Sequence, residues 1–219
     1  MRRWWVAGLL AAIVVSSFAG TALAKSKVPA LPGRTYTWTF AADTLGQPPT
    51  ATRVGGGSWS VLEDSTQAGV RLLRQTQSDD GLAYHSLQFL KPRVADQKME
   101  VRFRIRSGDI DPSVGIAFHL DAKGKNGYLV RISGKDQELI AHYFLNGKRR
   151  DLKMVAVDPP KPDEWHTLGV QRVGERLEVL VDGVVKMKLR DERYSIGNVG
   201  LWTEDDTVAD FAGMTVTTL

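Results

Sequence analysis

The chain of 219 residues carries 29 Lys and Arg against 25 Asp and Glu, for a formal net charge of +4, and contains no cysteine. Its acidic and basic residues are interspersed apart from one tight cluster, Lys148-Arg149-Arg150, which we interpret as the solvated end of a hairpin. Because nucleic-acid-binding proteins concentrate a larger positive excess on one face, the composition argues against a nucleic-acid partner. The absence of cysteine excludes disulfides and a lipid anchor on an N-terminal Cys.

The first 24 residues have the three parts of a secretory signal peptide. Arg2-Arg3 forms the basic start, residues 4–18 form an apolar run, and Ala22-Leu23-Ala24 forms a small-residue cleavage site. A retained membrane anchor is the alternative, but the apolar run is shorter than the roughly 20 residues that a spanning helix needs. We expect a periplasmic or secreted protein with no stable membrane insertion after signal cleavage.

The rest of the chain has the pattern of β-strands. Residues 25–33, KSKVPALPG, form a flexible lead-in rich in Lys, Pro and Gly. No linker divides residues 34–219, which we predict to be one domain. In KMEVRFRIRS, Val101, Phe103 and Ile105 occupy one face of a strand and charged residues the other. Further strands are predicted in SVGIAFHLD, GYLVRIS, ELIAHYFL, WHTLGVQRV, RLEVLVD, VVKMKL, VGLWTE and MTVTTL.

Short turns connect several of these strands. Asp182-Gly183 and Asn146-Gly147 are two-residue hairpin signals, because such turns need positive φ and Gly supplies it without steric cost. Outside the signal peptide, no window of about 11 residues has helical spacing. The sequence therefore predicts an all-β sandwich of antiparallel strands rather than a parallel sheet with crossover helices.

Motifs for acid–base catalysis are weak. Retaining glycosidases need two carboxyl groups about 5 Å apart. Asp109 and Asp111 have alternate spacing in GDIDP, but the flanking Gly and Pro favour a turn. Glu204, Asp205 and Asp206 are consecutive, so they point in different directions and are interpreted as a charged turn. We predict no catalytic residues.

Motifs for metal binding are also weak. The four histidines are scattered, with no H-E-x-x-H pattern. Asp121 and Asn126 could supply oxygen ligands to calcium, although a plain loop between strands explains them better. We predict no cofactor and no metal site, with a structural calcium ion as the alternative.

A polar sheet surface is the best candidate for a binding site. In VGLWTE, a core made by Val199 and Leu201 leaves Trp202 on the opposite surface, where its ring could stack on a sugar. The same alternation places one histidine and two arginines opposite the apolar positions of their own strands. The alternative is that the tryptophan packs under a loop or a second layer of sheet. The predicted ligand-binding residues are Trp202, Arg131, His119 and Arg104.

Short motifs follow one another in the order WSV, VRFRIRSG, GIAFHLD, NGYLVR, LNGK, WHTL, VDG and VGLWTEDDTVADF. Their order and spacing between Phe40 and Val216 resemble a secreted bacterial concanavalin A-like (LamG/jelly-roll) domain of unknown function, similar to 3-keto-disaccharide hydrolases and family 16 glycoside hydrolases. The resemblance implies a jelly roll of two large antiparallel sheets, with a concave face that receives carbohydrate in related lectins and glucanases. It confers no activity by itself, because this sandwich hosts lectins, lyases, hydrolases and spacer domains.

The chain departs from the family pattern at three places. It has Asn126-Gly127-Tyr128 where the family has Asn-Tyr-Tyr, and Phe211-Ala212-Gly213 where the family has Phe-Asp-Asp or Phe-Asp-Asn. His119 stands where the family commonly has arginine. We therefore expect Phe211 to belong to the core and assign no ligand to the segment that follows it.

Three functions are consistent with these patterns. The first is noncatalytic binding of a carbohydrate or other small polar ligand on the concave sheet face. The second is a hydrolase or lyase acting on a glycoside or modified sugar, which requires a general acid and base within reach of one substrate. The third is a structural or interaction module whose groove is blocked.

Overall fold

The computed structural model describes residues 33–81 and 83–219. The predicted signal peptide and all but the last residue of the predicted lead-in lie outside the described residues. No helix within the described ranges is long and apolar enough to cross a membrane.

Every regular element in the described ranges is a β-strand, which confirms the all-β prediction. The strands are β1 (Thr35–Trp38), β2 (Thr52–Gly56), β3 (Trp59–Glu63), β4 (Arg71–Gln75), β5 (Tyr84–Val94), β6 (Gln97–Ser107), β7 (Ser113–Leu120), β8 (Gly127–Ser133), β9 (Glu138–Leu145), β10 (Lys148–Ala156), β11 (His166–Val173), β12 (Arg176–Val181), β13 (Val184–Arg190), β14 (Gly197–Glu204) and β15 (Val208–Thr218).

These strands form two antiparallel sheets. The eight-stranded sheet has the order β13-β12-β11-β6-β15-β4-β3, with β1 also paired to β15. The seven-stranded sheet has the order β10-β9-β8-β7-β14-β5-β2. Successive strands often lie in different sheets, as β6 and β7 do, so the chain crosses the sandwich repeatedly.

The core lies between the inner faces of the two sheets. Val101 and Phe103 of β6 are completely buried, and so are Ile116 and Phe118 of β7. Burial of one such side chain stabilises the fold by about 1.5–3 kcal/mol. Phe211 is completely buried among them, with its ring centroid 5.6 Å from that of Trp59, which confirms its predicted core position.

A β-bulge at the end of β7 reverses the alternation of that strand. The register between β7 and β14 shifts between Asn198 and Gly200, and His119 adopts a positive φ of 51°. Gly197 allows the close approach, because a Cβ at that position would lie 2.2 Å from the His119 carbonyl carbon. As a result, Leu120 joins the apolar cluster on the outer face of the seven-stranded sheet.

The predicted position of His119 on the polar face is therefore wrong. Its Nδ1 lies 2.9 Å from the Tyr194 carbonyl and its Nε2 lies 2.8 Å from the Ala95 carbonyl. Its ring packs edge-on against Phe118. Burial lowers the pKa of His119, although both carbonyls oppose that shift. With both ring nitrogens occupied inside the molecule, His119 has no nitrogen left for a ligand on the outer face.

Arg104 is also placed away from Trp202, because β6 belongs to the eight-stranded sheet. Its Nη2 lies 2.7 Å from Oδ2 of the completely buried Asp210. Arg74 donates to the same carboxylate through Nε at 2.5 Å and Nη2 at 2.9 Å. Trp165 stacks on Arg104, with 4.4 Å between its ring centroid and the guanidinium carbon. The prediction that Arg104 shares a groove with Trp202 is wrong because the two residues lie on different sheets.

Replacing Asp210 with Asn should destabilise the protein by about 3 kcal/mol, because removing one partner of a buried ion pair leaves guanidiniums without a counter-charge. Chemical denaturation measures this loss. Asp163→Asn is the matched control, since Asp163 is 58% exposed and pairs with Arg106 at 2.7 Å, and exposed pairs contribute little. Equal losses in the two variants would contradict the role assigned to Asp210.

Candidate functional site

Packing in the core positions Trp202. Val199 and Leu201 of β14 are completely buried between the sheets, so the alternating residues of that strand face outward. Trp202 lies beside Gly115 of β7 in the sheet register. A Cβ on Gly115 would meet the indole at 3.3 Å, so the glycine allows the ring to lie close to the sheet. The outward position predicted for Trp202 is confirmed.

A pocket of about 260 Å³ opens next to this tryptophan. Its apolar lining includes Ala117, Leu120, Phe144 and Trp202, which together with Leu129 form the apolar cluster of the outer face. The polar and charged part of the lining comes from β5 and β2, which pair with each other beside β14, and from the loop between β7 and β8. These polar and charged lining residues are Arg53, Tyr84, Ser86, Gln88, Lys123 and Lys125.

Trp202 is not the open stacking surface that the sequence suggested. Its side chain is only 2% exposed, because two residues cover it. The Tyr84 ring centroid lies 5.6 Å from that of Trp202. The Arg149 guanidinium carbon lies 4.7 Å from the Tyr84 centroid and 5.6 Å from the Trp202 centroid. What remains accessible of the indole lines the pocket wall, and Tyr84, 39% exposed, is the more available aromatic surface.

Arg131 lies on the same sheet face, one strand beyond Gly115. Its Nη1 donates to Ser113 Oγ at 2.7 Å and lies 3.3 Å from Asp111 Oδ1. Its Nε lies 3.4 Å from Glu204 Oε2. Arg131 is therefore held by side chains of its own sheet and of the β6–β7 connection, and it is absent from the lining of the pocket.

Glu204 joins the two arginines of this face. Its Oε1 lies 2.8 Å from Arg149 Nη1, and its side chain is 4% exposed. Burial raises the pKa of Glu204, whereas the charges of Arg131 and Arg149 act to lower it. The three consecutive acidic residues, Glu204, Asp205 and Asp206, therefore do not all belong to one turn. Glu204 ends β14 and is buried, which the sequence analysis did not anticipate.

Asp205 and Asp206 form the turn that the sequence predicted. Asp205 has a φ of 46°, and its Oδ1 accepts a hydrogen bond from Ala83 N at 2.8 Å. Asp206 Oδ2 accepts from Ile110 N at 2.9 Å. These carboxylates hold neighbouring backbone segments together, as turn aspartates commonly do.

One group of carboxylates has a spacing that could hold a metal ion. Asp111, Glu204 and Asp205 each offer an oxygen within 4.8 Å of the others. Arg131 already contributes positive charge there, since it approaches both Asp111 and Glu204. Asp121, the calcium ligand considered from sequence, instead accepts hydrogen bonds from Lys123 N and Lys125 N, both at 2.9 Å.

His142 of β9 is a further buried polar residue on this face. It pairs with Leu129 of the outer cluster, and its Nδ1 lies 2.8 Å from Asp151 Oδ1. Burial and then the positive charge of Arg149 lower the pKa of His142 to about 4. Among the described residues, its buried Nε2 has no hydrogen-bond partner.

Arg149 was predicted to lie at the solvated end of a hairpin, but it reaches Glu204 and Trp202 on the sheet face. A signal for it existed. The two-residue turn at Asn146-Gly147 sets the register that pairs Arg149 with Phe144, so both side chains share a face. Arg149 reaches Glu204 because the folded sheet brings β10 toward β14. No local sequence pattern encodes this approach of the two strands.

Replacing Arg149 with Ala should expose the Trp202 ring, because the guanidinium covers it. Acrylamide quenching of fluorescence measures this exposure once the signal of the Trp202→Phe variant is subtracted. Arg150→Ala is the matched control, since Arg150 neighbours Arg149 but is exposed. If quenching of Trp202 rises equally in both variants, Arg149 does not shield the ring.

His142 should make stability depend on pH in a defined window. Above pH 6.5 the ring is neutral in the folded and unfolded chains. Between pH 6.5 and about 4 only the unfolded chain takes up the proton, so stability falls as pH falls, by up to about 1.4 kcal/mol per pH unit. The free energy of unfolding of His142→Asn should decline less steeply across this window. Parallel pH profiles for the two proteins would contradict the assignment.

Three solved structures show which proteins share this fold. The carbohydrate-binding module CBM66 from Bacillus subtilis is 21% identical, with a TM-score of 0.62, and the match covers 74% of this chain and 92% of that one. The VIP36 exoplasmic/lumenal domain in its Ca²⁺/Man-bound form is 14% identical, with a TM-score of 0.61 and coverage of 84% and 89%. The β-glucanase from Bacillus licheniformis is 13% identical, with a TM-score of 0.57 and coverage of 85% and 99%.

No protein-family model matches the chain, and no curated protein matches its sequence. At the identities of the solved structures the similarity is one of fold. It confirms the concanavalin A-like jelly-roll sandwich of two antiparallel sheets that the sequence motifs predicted.

Proposed function

We propose that this chain is an exported, noncatalytic β-sandwich that binds a saccharide in the pocket between Tyr84, Trp202 and Phe144. The observation that carries the proposal is the composition of this pocket. It joins an apolar and aromatic wall to polar side chains on the outer face of one sheet. Small-ligand sites commonly combine a mainly apolar lining with a few placed polar groups.

The pocket matches the chemistry of a sugar ring. The C–H face of a pyranose can pack on Tyr84 and on the accessible part of Trp202, while a hydroxyl exchanges hydrogen bonds with Ser86. The fold supports the proposal, since one structural neighbour is a carbohydrate-binding module and another is described in a mannose-bound form.

The positions of the carboxylates support the noncatalytic part of the proposal. Among the described residues that line the pocket, there is no Asp or Glu. Glu204 is engaged by Arg131 and Arg149. A glycosidase of the usual kind uses two carboxyl groups at the scissile bond, and the described lining residues of this pocket supply none.

A glycoside hydrolase is the second candidate, and one observation favours it. Oxygens of Asp111 and Glu204 approach within 4.8 Å of each other, near the separation of about 5–5.5 Å of carboxyl pairs in retaining enzymes. Burial raises the pKa of Glu204, which suits a general acid. Turnover of a glycoside that is lost in Glu204→Gln but kept in Asp163→Asn would establish this candidate over the binding function.

Calorimetric titration with a panel of neutral and acidic oligosaccharides tests the proposal. Tyr84→Ala should weaken binding of any saccharide that the protein takes by about tenfold, because it removes the available aromatic wall. The control is Tyr36→Ala, a half-buried tyrosine of the other sheet, which should bind normally. Absence of heat with every saccharide would overturn the proposal in favour of an interaction module whose outer face is blocked by Arg149.

A further inference from the structure

The pocket carries a charge imbalance that the carbohydrate proposal does not explain. Three of its lining residues are cationic, namely Arg53 of β2 and the lysines Lys123 and Lys125 of the loop between β7 and β8. Within the described part of the chain, no carboxylate lines this pocket. A neutral sugar needs no such concentration of positive charge.

Arg53 is positioned without being neutralised. It pairs with Gln88 in the register of β2 and β5, and its guanidinium donates to Gln88 Oε1 and to the Ala122 carbonyl. Both acceptors are uncharged. Gln88 is in turn fixed, since its Nε2 donates to the Asp121 carbonyl at 2.9 Å. The guanidinium is therefore held in place by dipoles, and its positive charge remains uncompensated.

The arginines of the sheet faces provide the contrast. Arg74 and Arg104 share Asp210, and Arg131 and Arg149 share Glu204. Arg53, Lys123 and Lys125 form no ion pair with any residue in the described ranges. Four arginines of the sheet faces thus share two buried carboxylates, whereas the described residues supply no carboxylate partner to the three cations of the pocket.

The loop that carries the two lysines is built to hold a fixed shape. Asp121 Oδ1 accepts hydrogen bonds from the backbone N–H groups of Lys123 and Lys125, and its Oδ2 accepts from Asn126 Nδ2 at 2.7 Å. The next hairpin braces it, because Asn146 N donates to Asn126 Oδ1 at 2.9 Å. The one carboxylate of this loop is thus engaged by the loop itself, and the lysines are presented at the pocket.

From this arrangement we infer that the pocket selects an anionic saccharide, one that carries a carboxylate, sulfate or phosphate group. The inference rests on the proposed carbohydrate binding and names the class of sugar. A volume of about 260 Å³ is near the lower limit of small-ligand sites and suits a single sugar unit. Its ring lies on the aromatic wall while its charged group approaches Arg53, Lys123 and Lys125, because hydrogen bonds between ionised groups are roughly twice as strong as neutral ones.

The test compares acidic saccharides with the same saccharides after their charge is removed. Oligogalacturonate and its fully methyl-esterified form present the same rings, and a sulfated and a phosphorylated hexose distinguish the source of the negative charge. In calorimetric titrations of the purified protein, at least one acidic saccharide should bind about tenfold or more tightly than its uncharged counterpart. Added salt should weaken that preference.

A pair of double variants controls for general electrostatics. Lys123→Gln with Lys125→Gln should remove most of the preference for the acidic saccharide. Lys98→Gln with Lys186→Gln changes the net charge equally at exposed positions of the eight-stranded sheet and should keep the preference. Both double variants alter exposed side chains, so folding is not at issue.

The results distinguish a failure of the anionic selectivity from a failure of the proposed carbohydrate binding. Equal binding of the acidic and uncharged saccharides, or a preference that survives in Lys123→Gln with Lys125→Gln, overturns the anionic selectivity and leaves carbohydrate binding intact. Binding of neither kind overturns both. Loss of the acidic preference in the pocket variant alone supports both.

Discussion

The outer face of the seven-stranded sheet depends on one constraint, which is the burial of Val199 and Leu201 in the middle of the sandwich. Strand β14 pairs with β7 on one side and β5 on the other, so a register slip would expose both residues and cost several kcal/mol. Trp202 and Glu204 are held on the outer face by the same alternation. The pocket exists because the apolar core leaves β14 no other orientation.

Each sheet contains a buried carboxylate whose negative charge is compensated by two arginines. Asp210 lies between Arg74 and Arg104 on one sheet, and Glu204 lies between Arg131 and Arg149 on the other. Burying a charge is costly unless it is paired, and guanidiniums supply fixed donors for that pairing. Arg149 has a second role, because it also covers Tyr84 and Trp202, the aromatic pair that forms the pocket wall.

Arg53 shows that not every arginine of the described chain forms an ion pair with a carboxylate. Its neighbours Gln88 and Ala122 offer only neutral oxygens. The carboxylate of Asp121, in the adjoining β7–β8 loop, accepts hydrogen bonds from the backbone of that loop. Positive charge therefore collects at one opening of the fold.

Much of the architecture could be predicted from alternation and turn residues. Strand β6 has its apolar face where KMEVRFRIRS places it, and the hairpins at Asp182-Gly183 and Asn146-Gly147 join β12 to β13 and β9 to β10. Prediction failed where a strand is irregular. His119 has the local pattern of an outward residue, but the bulge against Gly197 turns it inward, and a bulge depends on the facing strand.

The sequence by itself determined β6–β9 and β11–β15, most of their buried faces and the outward position of Trp202, because side-chain alternation is a local property of an extended backbone. Strands β1–β5 and β10 were not predicted. Tertiary structure decided which strands became neighbours, and so it separated Arg104 from Trp202 and brought Arg149 over the indole. It also decided that Glu204 would be buried rather than belong to the turn, since burial depends on the guanidiniums that distant strands supply. The grouping of three cations at the pocket is likewise a product of assembly, because β2 and the β7–β8 loop meet only in the folded sandwich.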